Sequence, residues 1–147
     1  MTIDRIERET LIAASLERVW SLVAEPGFWV AEEEAYSGTV AHEGETVRAK
    51  HPQFGEFPVR VEKVQAPAYI AYRWASAFPG EELREGNSTL IEFTLTAEDG
   101  GTRLRVVESG FAALEGTDVA ARAHRDNTDG WAQVIDAFKA RAEQSSV

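Results

Sequence analysis

Glu108 is the residue of this sequence with the clearest potential for a chemical role. Apolar and polar residues alternate over 102–110, and successive side chains of a β-strand point to opposite faces. Leu104 and Val106 define the apolar face, and Glu108 falls on it, next to Phe111. A buried carboxyl group must find hydrogen-bond donors or keep its proton. Such a group can act as a general acid or base, hold a ligand, or anchor the fold.

Candidate partners for Glu108 come from the neighbouring predicted elements, and they are Tyr72, Asn127, Trp131 and His51. Two roles stay open, because Glu108 can anchor the sheet to the last helix or help to bind a ligand. The aromatic residues leave a similar choice, since aromatic side chains at strand period form a core more often than they line a cavity. The candidate ligand-binding residues are Trp20, Trp29, His51, Tyr72, Trp74, Phe93, Glu108, Phe111, Asn127 and Trp131.

The sequence carries no other recognisable catalytic or metal-binding signature. His42, His51 and His124 lack the spacing of a helical zinc site, and the chain has no cysteine. It also lacks a glycine-rich phosphate loop and the G-x-S-x-G pattern of a nucleophile elbow. We therefore expect no metal and no cofactor. If the protein is an enzyme, Glu108 is the candidate catalytic residue, with His51 a distant second.

The charge balance excludes several classes of partner. The chain has 147 residues, enough for one domain over 1–147, with 15 Lys and Arg against 25 Asp and Glu. A net charge of -10 repels nucleic-acid phosphates and anionic lipid headgroups. The longest apolar run, 68–72, is far shorter than the roughly 20 residues of a membrane-spanning helix. The N-terminal residues show no secretory-signal pattern, so we expect a cytoplasmic protein.

Periodicity in the first part of the sequence predicts a strand and two short helices. The strand covers 6–12, and Ser15 is the predicted cap of the helix that follows. Pro26-Gly27 ends this helix, and Phe28 and Trp29 begin a second short one.

The remaining sequence predicts a sheet and a long closing helix. Residues 117–143 have helical spacing of apolar side chains, with Thr117 as the predicted cap. We therefore predict the α+β class, with a curved antiparallel sheet of about seven strands around a long C-terminal helix. The six strands predicted after the short helices are 36–41, 46–51, 57–65, 69–75, 88–96 and 102–110.

Six short motifs follow one another along the chain: Val19-Trp20, Tyr72-Arg73-Trp74, Thr89-Leu90-Ile91-Glu92-Phe93, Gly101-Thr102-Arg103-Leu104, Glu108-Ser109-Gly110-Phe111 and Gly130-Trp131. Their order resembles that of the SRPBCC superfamily, which includes START and birch-pollen-allergen domains. The resemblance covers nearly the whole chain and is greatest to the AHSA type, bacterial proteins similar to the activator of the heat-shock-protein-ninety ATPase. It implies a helix-grip fold with a cavity between the sheet and the closing helix.

This superfamily supports three hypotheses, because lipid carriers, polyketide cyclases and chaperone activators share the scaffold. The first is a non-enzymatic protein, monomer or homodimer, that binds an apolar or aromatic small molecule, with Glu108 and Tyr72 as polar anchors. The second is a co-chaperone-like or regulatory protein that binds another protein. The third is a cyclase- or dehydratase-like enzyme that uses Glu108 for proton transfer.

Overall fold

The computed structural model is an antiparallel sheet packed against a long C-terminal helix, as the α+β prediction requires. It describes residues 5–31, 41–51, 55–75, 82–83, 86–114 and 116–144, without the side chains of residues 31 and 117. The elements are β1 (Arg5–Ile12), α1 (Leu16–Val23), α2 (Phe28–Ala31), β2 (Thr46–His51), β3 (Gly55–Gln65), β4 (Tyr69–Trp74), β5 (Thr89–Glu98), β6 (Gly101–Ser109), a 3₁₀ turn (Phe111–Ala113) and α3 (Thr117–Glu143).

The described residues form one sheet of six strands in the order β1-β6-β5-β4-β3-β2. Every neighbouring pair is antiparallel, and β1 returns the start of the chain to β6, with Ile6 opposite Glu108. The predicted seventh strand, 36–41, lies outside the described residues except for Ala41. The N–H of Ala41 donates to the carbonyl of Ala24 at 3.0 Å.

The predicted division of β6 between two faces is confirmed. Leu104, Val106 and Glu108 are buried, whereas Arg103 and Arg105 are partly exposed. The arginines pair with carboxylates of β1 and β5 on the solvent side of the sheet. The alternation therefore turns Glu108 inward, towards the core.

The two short helices follow β1 as the sequence predicts. Ser15 caps α1, because its Oγ accepts a hydrogen bond from the backbone N–H of Arg18 at 3.1 Å. Val19, Leu22 and Val23 are the buried residues of this helix. Their burial turns one face of α1 towards the core.

Helix α3 lies against the core and is tied to β1 by polar side chains. Trp131, Ile135 and Phe138 are buried. His124 Nε2 donates to the carbonyl of Arg5 at 2.9 Å, and Lys139 Nζ donates to the carbonyl of Leu11 at 3.0 Å. These contacts satisfy carbonyl groups of an edge strand, which would otherwise need water or another strand.

The predicted cap of α3 is wrong by one residue. Gly116 occupies the N-cap position with a φ of 88°, and Thr117 is the first helical residue. A positive φ is unfavourable for a residue with a Cβ atom, so the conformation of this turn requires glycine at the cap.

Two glycines give opposite predictions for the same substitution. Gly27 has a φ of 76°, and a Cβ there would lie 2.6 Å from the Cβ of Ala49. Gly27→Ala should lower the free energy of unfolding by about 2–3 kcal/mol, through the left-handed backbone and the overlap. Gly130 lies in α3, and apart from its chain neighbours and the nearby backbone of the same helix, no described atom is within 4 Å of its Cβ position. Gly130→Ala should raise that free energy by about 0.5–1 kcal/mol. Urea unfolding curves measure both, and equal midpoints for the two variants would contradict this packing.

Candidate functional site

The ends of three strands meet α3 around Glu108. Trp74 at the end of β4 is opposite Thr89 at the start of β5, and Leu90 is opposite Ser109. This register makes Thr89 a diagonal neighbour of Glu108 on the buried face. Residues four apart on a helix project from the same side. Helix α3 therefore brings Asn127 and Trp131 together to the same carboxyl group.

Both carboxyl oxygens of Glu108 accept hydrogen bonds from side chains. Oε1 accepts from Trp131 Nε1 at 2.7 Å and from Asn127 Nδ2 at 3.1 Å. Oε2 accepts from Thr89 Oγ1 at 2.5 Å, from Trp74 Nε1 at 2.8 Å and from Asn127 Nδ2 at 3.2 Å. Glu108 itself has no exposed surface. One carboxyl group therefore joins β4, β5 and β6 to α3.

The donors around Glu108 are suited to a carboxylate ion. Burial raises the pKa of Glu108, and the hydrogen bonds from Thr89, Trp131, Trp74 and Asn127 lower it and partly offset that effect. The two indole N–H groups and the Asn127 NH₂ donate to Glu108 in this arrangement. A proton on Glu108 would have to be accepted by the Thr89 hydroxyl, or by Asn127 after its amide had turned to present Oδ1. The four donor side chains are uncharged, and they stabilise the charge through dipoles.

Two of the four predicted partners of Glu108 are confirmed, Asn127 and Trp131. The prediction for Tyr72 is wrong, because its hydroxyl donates to the carbonyl of Val23 at 2.5 Å. Burial raises the pKa of Tyr72 well above its usual value, and the carboxylates of Glu25 and Glu45 raise it further. Tyr72 therefore holds the end of α1 against β4.

His51 does not contribute to the hydrogen bonds described for Glu108. It ends β2, and three strands lie between β2 and β6 in the sheet. The sequence reasoning also missed two donors, the Thr89 hydroxyl and the Trp74 indole. The sequence did contain a signal for both donors, because the alternation of side chains along each strand places Thr89 and Trp74 on the buried face. The register between β4 and β5 was needed to bring them to Glu108.

A cluster of aromatic side chains lies beside this carboxyl group. Trp29 is at its centre, with ring centroids 5.1 Å from Tyr72, 5.6 Å from Trp74, and 6.0 Å from Phe93 and from Trp131. We call Phe28, Trp29, Tyr72, Trp74, Phe93 and Trp131 the aromatic cluster. The hydrogen bonds of Trp74 and Trp131 to Glu108 fix the orientation of two of its rings.

Two further predicted aromatic residues lie at other places in the fold. Phe111 is buried in the 3₁₀ turn, and its ring contacts His124 at a centroid distance of 5.3 Å. Trp20 is half-buried on α1 and packs against the hydrophobic core. Neither belongs to the ring contacts that define the aromatic cluster.

The indole nitrogen of Trp29, Nε1, lies in an unusual environment. The side chain of Trp29 is buried, with 6% of the residue exposed, and none of the described residues supplies an acceptor for Nε1. A buried donor without an acceptor destabilises the folded state by about 1–3 kcal/mol. Trp29 was a predicted site residue, but the sequence contains no signal for an unpaired N–H.

Groups of metal-ligating side chains and membrane-spanning helices are both absent from the described part of the chain. Its histidine, aspartate and glutamate residues do not form groups of three or more that could hold a metal ion. No helix among the described residues combines the length and the apolar character needed to cross a bilayer.

Comparison with known proteins gives the family of this chain. The model of the family "Activator of Hsp90 ATPase homolog 1-like protein" matches residues 13–143. The chain belongs to this family. The match confirms the resemblance, and it covers the described helices and five of the six strands, β2 to β6. No curated protein matches the sequence at a significant level.

Solved structures of the same fold cover the complete chain. The chain is similar to protein MLL2253 from Mesorhizobium loti, with 18% identity, a TM-score of 0.74 and coverage of 97% of this chain and 99% of that chain. It is also similar to the Aha1 dimer from Colwellia psychrerythraea, with 18% identity, a TM-score of 0.66 and coverage of 100% of both chains. At this identity the similarity shows the fold alone, an α+β helix-grip fold.

The donors around Glu108 predict that the substitution Glu108→Gln strongly destabilises the folded protein. In Glu108→Gln an amide NH₂ replaces an accepting oxygen and faces donors. The free energy of unfolding should fall by about 2–4 kcal/mol, because buried donors lose their acceptor. Urea unfolding followed by tryptophan fluorescence measures this loss.

Glu9→Gln is the matched control for that substitution. Glu9 pairs with Arg103 at 3.4 Å on the exposed face, and half of its side-chain surface is accessible. The control should change stability by less than about 1 kcal/mol, as is usual for surface ion pairs. Similar losses in the two variants would show that Glu108 does not hold the strands to α3.

Proposed function

We propose that this protein binds an apolar or aromatic small molecule at the aromatic cluster, between the sheet and α3. The observation that carries the proposal is the convergence of the rings of the aromatic cluster with several side-chain donors. Small-molecule sites combine an apolar, aromatic lining with a few polar groups in fixed positions. Trp74 and Asn127 are half-buried, so the region reaches solvent at this end of the sheet and offers a route for a ligand.

Glu108 has a structural role in this proposal. Its oxygens already accept from Trp74, Thr89, Asn127 and Trp131. A general base needs a lone pair directed at its substrate, and here the lone pairs are directed at protein donors. The arrangement supports a binding protein over an enzyme that transfers protons through Glu108.

The neutral fluorescent probe N-phenylnaphthylamine tests this function. We expect saturable binding of one probe per chain, because one cluster combines the aromatic rings and the donors. In a ¹H–¹⁵N spectrum, the indole signals of Trp29, Trp74 and Trp131 should shift on binding. The signal of Trp20 should move least, which makes Trp20 an internal control. Tryptophan-to-phenylalanine variants assign the four signals.

Two results would contradict the proposed function. One is the lack of any saturable binding up to about 1 mM probe, which would mean an interaction weaker than about 4 kcal/mol. The other is a shift of the Trp20 signal alone, which would place the probe outside the cluster. Native mass spectrometry of the purified chain provides a second test, since a co-purified apolar molecule would support the proposal.

A co-chaperone-like function is the second candidate. It is supported by the family match over residues 13–143 and by the fold similarity to the Aha1 dimer. The separating measurement is the association of the purified chain with an Hsp90 chaperone, together with the ATPase rate of that chaperone. An unchanged rate with no association would end this candidate, and light scattering in the same experiment would distinguish monomer from homodimer.

A further inference from the structure

The aromatic cluster contains three indole N–H groups, and they have different environments. Those of Trp74 and Trp131 donate to Glu108 at 2.8 Å and 2.7 Å. Among the described residues, Trp29 has no acceptor for its own N–H. The Trp29 donor is therefore the polar group in the cluster that remains to be satisfied.

The neighbours of Trp29 cannot readily supply that acceptor. Phe28 and Phe93 have no polar side-chain atom. The Tyr72 hydroxyl donates to Val23 and could still accept a hydrogen bond, but it is not placed to accept one from Trp29 Nε1. The oxygens of Glu108 accept from the other two indoles and from Thr89 and Asn127. In the observed arrangement, none of these groups is placed to accept from Trp29 Nε1.

We propose that the indole N–H of Trp29 is the donor that anchors the ligand, and that the ligand is an aromatic molecule with an uncharged acceptor, such as a carbonyl oxygen or a ring nitrogen. This inference rests on the proposed function, because it assigns chemistry to the same site. It replaces Glu108 and Tyr72 as the polar anchors, since the described hydrogen bonds of both side chains are made within the protein.

The number of available donors indicates that the ligand carries a neutral acceptor and not a carboxylate. The buried carboxyl group of Glu108 is held by four donor side chains. A carboxylate on the ligand would find one N–H at Trp29, and burying a charge with a single donor is strongly unfavourable. A carbonyl oxygen or ring nitrogen needs one donor, which matches what Trp29 offers.

The ligand can reach Trp29 from the solvent end of the aromatic cluster. Trp74 is half-buried and meets Trp29 edge to face, with ring centroids 5.6 Å apart. Asn127 is half-buried at the same end of the sheet. A planar molecule that enters beside Trp74 would exchange one aromatic contact for another while its acceptor meets the Trp29 N–H.

Three naphthalenes with substituents at one position test this inference. Acetylnaphthalene carries a carbonyl acceptor, ethylnaphthalene has nearly the same shape without one, and naphthoate carries a charge at about pH 8. We expect acetylnaphthalene to bind more tightly than naphthoate. We also expect the Trp29 indole proton to move downfield with acetylnaphthalene and to stay nearly unchanged with ethylnaphthalene.

Trp29→Phe keeps an aromatic ring and removes the donor. The ratio of the ethylnaphthalene Kd to the acetylnaphthalene Kd should fall about tenfold in this variant relative to the natural chain, because a hydrogen bond is lost with one probe only. Trp20→Phe is the matched control and should keep the natural ratio. The ratio cancels the effect of a smaller ring on both probes.

The outcomes separate this inference from the proposed function. Saturable binding of the probes at the cluster with an unchanged ratio in Trp29→Phe, or naphthoate binding as tightly as acetylnaphthalene, would overturn the inference and leave the proposed function standing. Failure of all three probes to bind would overturn both. Should Trp29→Phe fail to fold, the response of the Trp29 proton in the natural chain decides, and equal shifts with the acetyl and ethyl probes would overturn the inference.

Discussion

The carboxyl group of Glu108 is the interaction on which the described fold and its candidate site depend. It has no exposed surface and accepts hydrogen bonds from β4, β5 and α3 while its own backbone lies in β6. Burying a carboxylate costs several kcal/mol unless donors replace the lost water. The donors therefore have to come from elements that are far apart in sequence, and this requirement fixes how α3 meets the sheet.

The same hydrogen bonds determine the chemistry of the aromatic cluster. Trp74 and Trp131 each use their indole N–H on Glu108, so their rings have defined orientations around Trp29. Tyr72 uses its hydroxyl on α1 in a similar way. The polar groups that look available in the sequence are thus occupied within the protein. The N–H of Trp29 differs, because no described residue accepts from it.

Family membership limits the range of functions without selecting one. The family model covers residues 13–143, and solved structures of the same fold match at 18% identity. A shared scaffold at this distance defines the sheet, the short helices and the closing helix, whereas function depends on the side chains of the site. In this chain those side chains are the aromatic cluster, the carboxyl group of Glu108 with its hydrogen bonds made within the protein, and the Trp29 N–H, which has no acceptor among the described residues. They are the basis of the proposed ligand-binding function.

Local patterns in the sequence were sufficient for the strands, the helices and the inward position of Glu108, because side-chain alternation and helical spacing are set within a few residues. They also identified Asn127 and Trp131 as partners, since residues four apart on a helix share one face. The Thr89 and Trp74 donors depend on the register of β4, β5 and β6, which pairs residues separated by up to 34 positions. The hydroxyl of Tyr72 donates to Val23, 49 positions away, because the tertiary fold brings the end of α1 within reach of this side chain. Long-range packing decided which polar groups pair with each other and that the Trp29 N–H has no acceptor among the described residues. The reason is that hydrogen bonding is short-ranged and directional, so it depends on the complete tertiary arrangement.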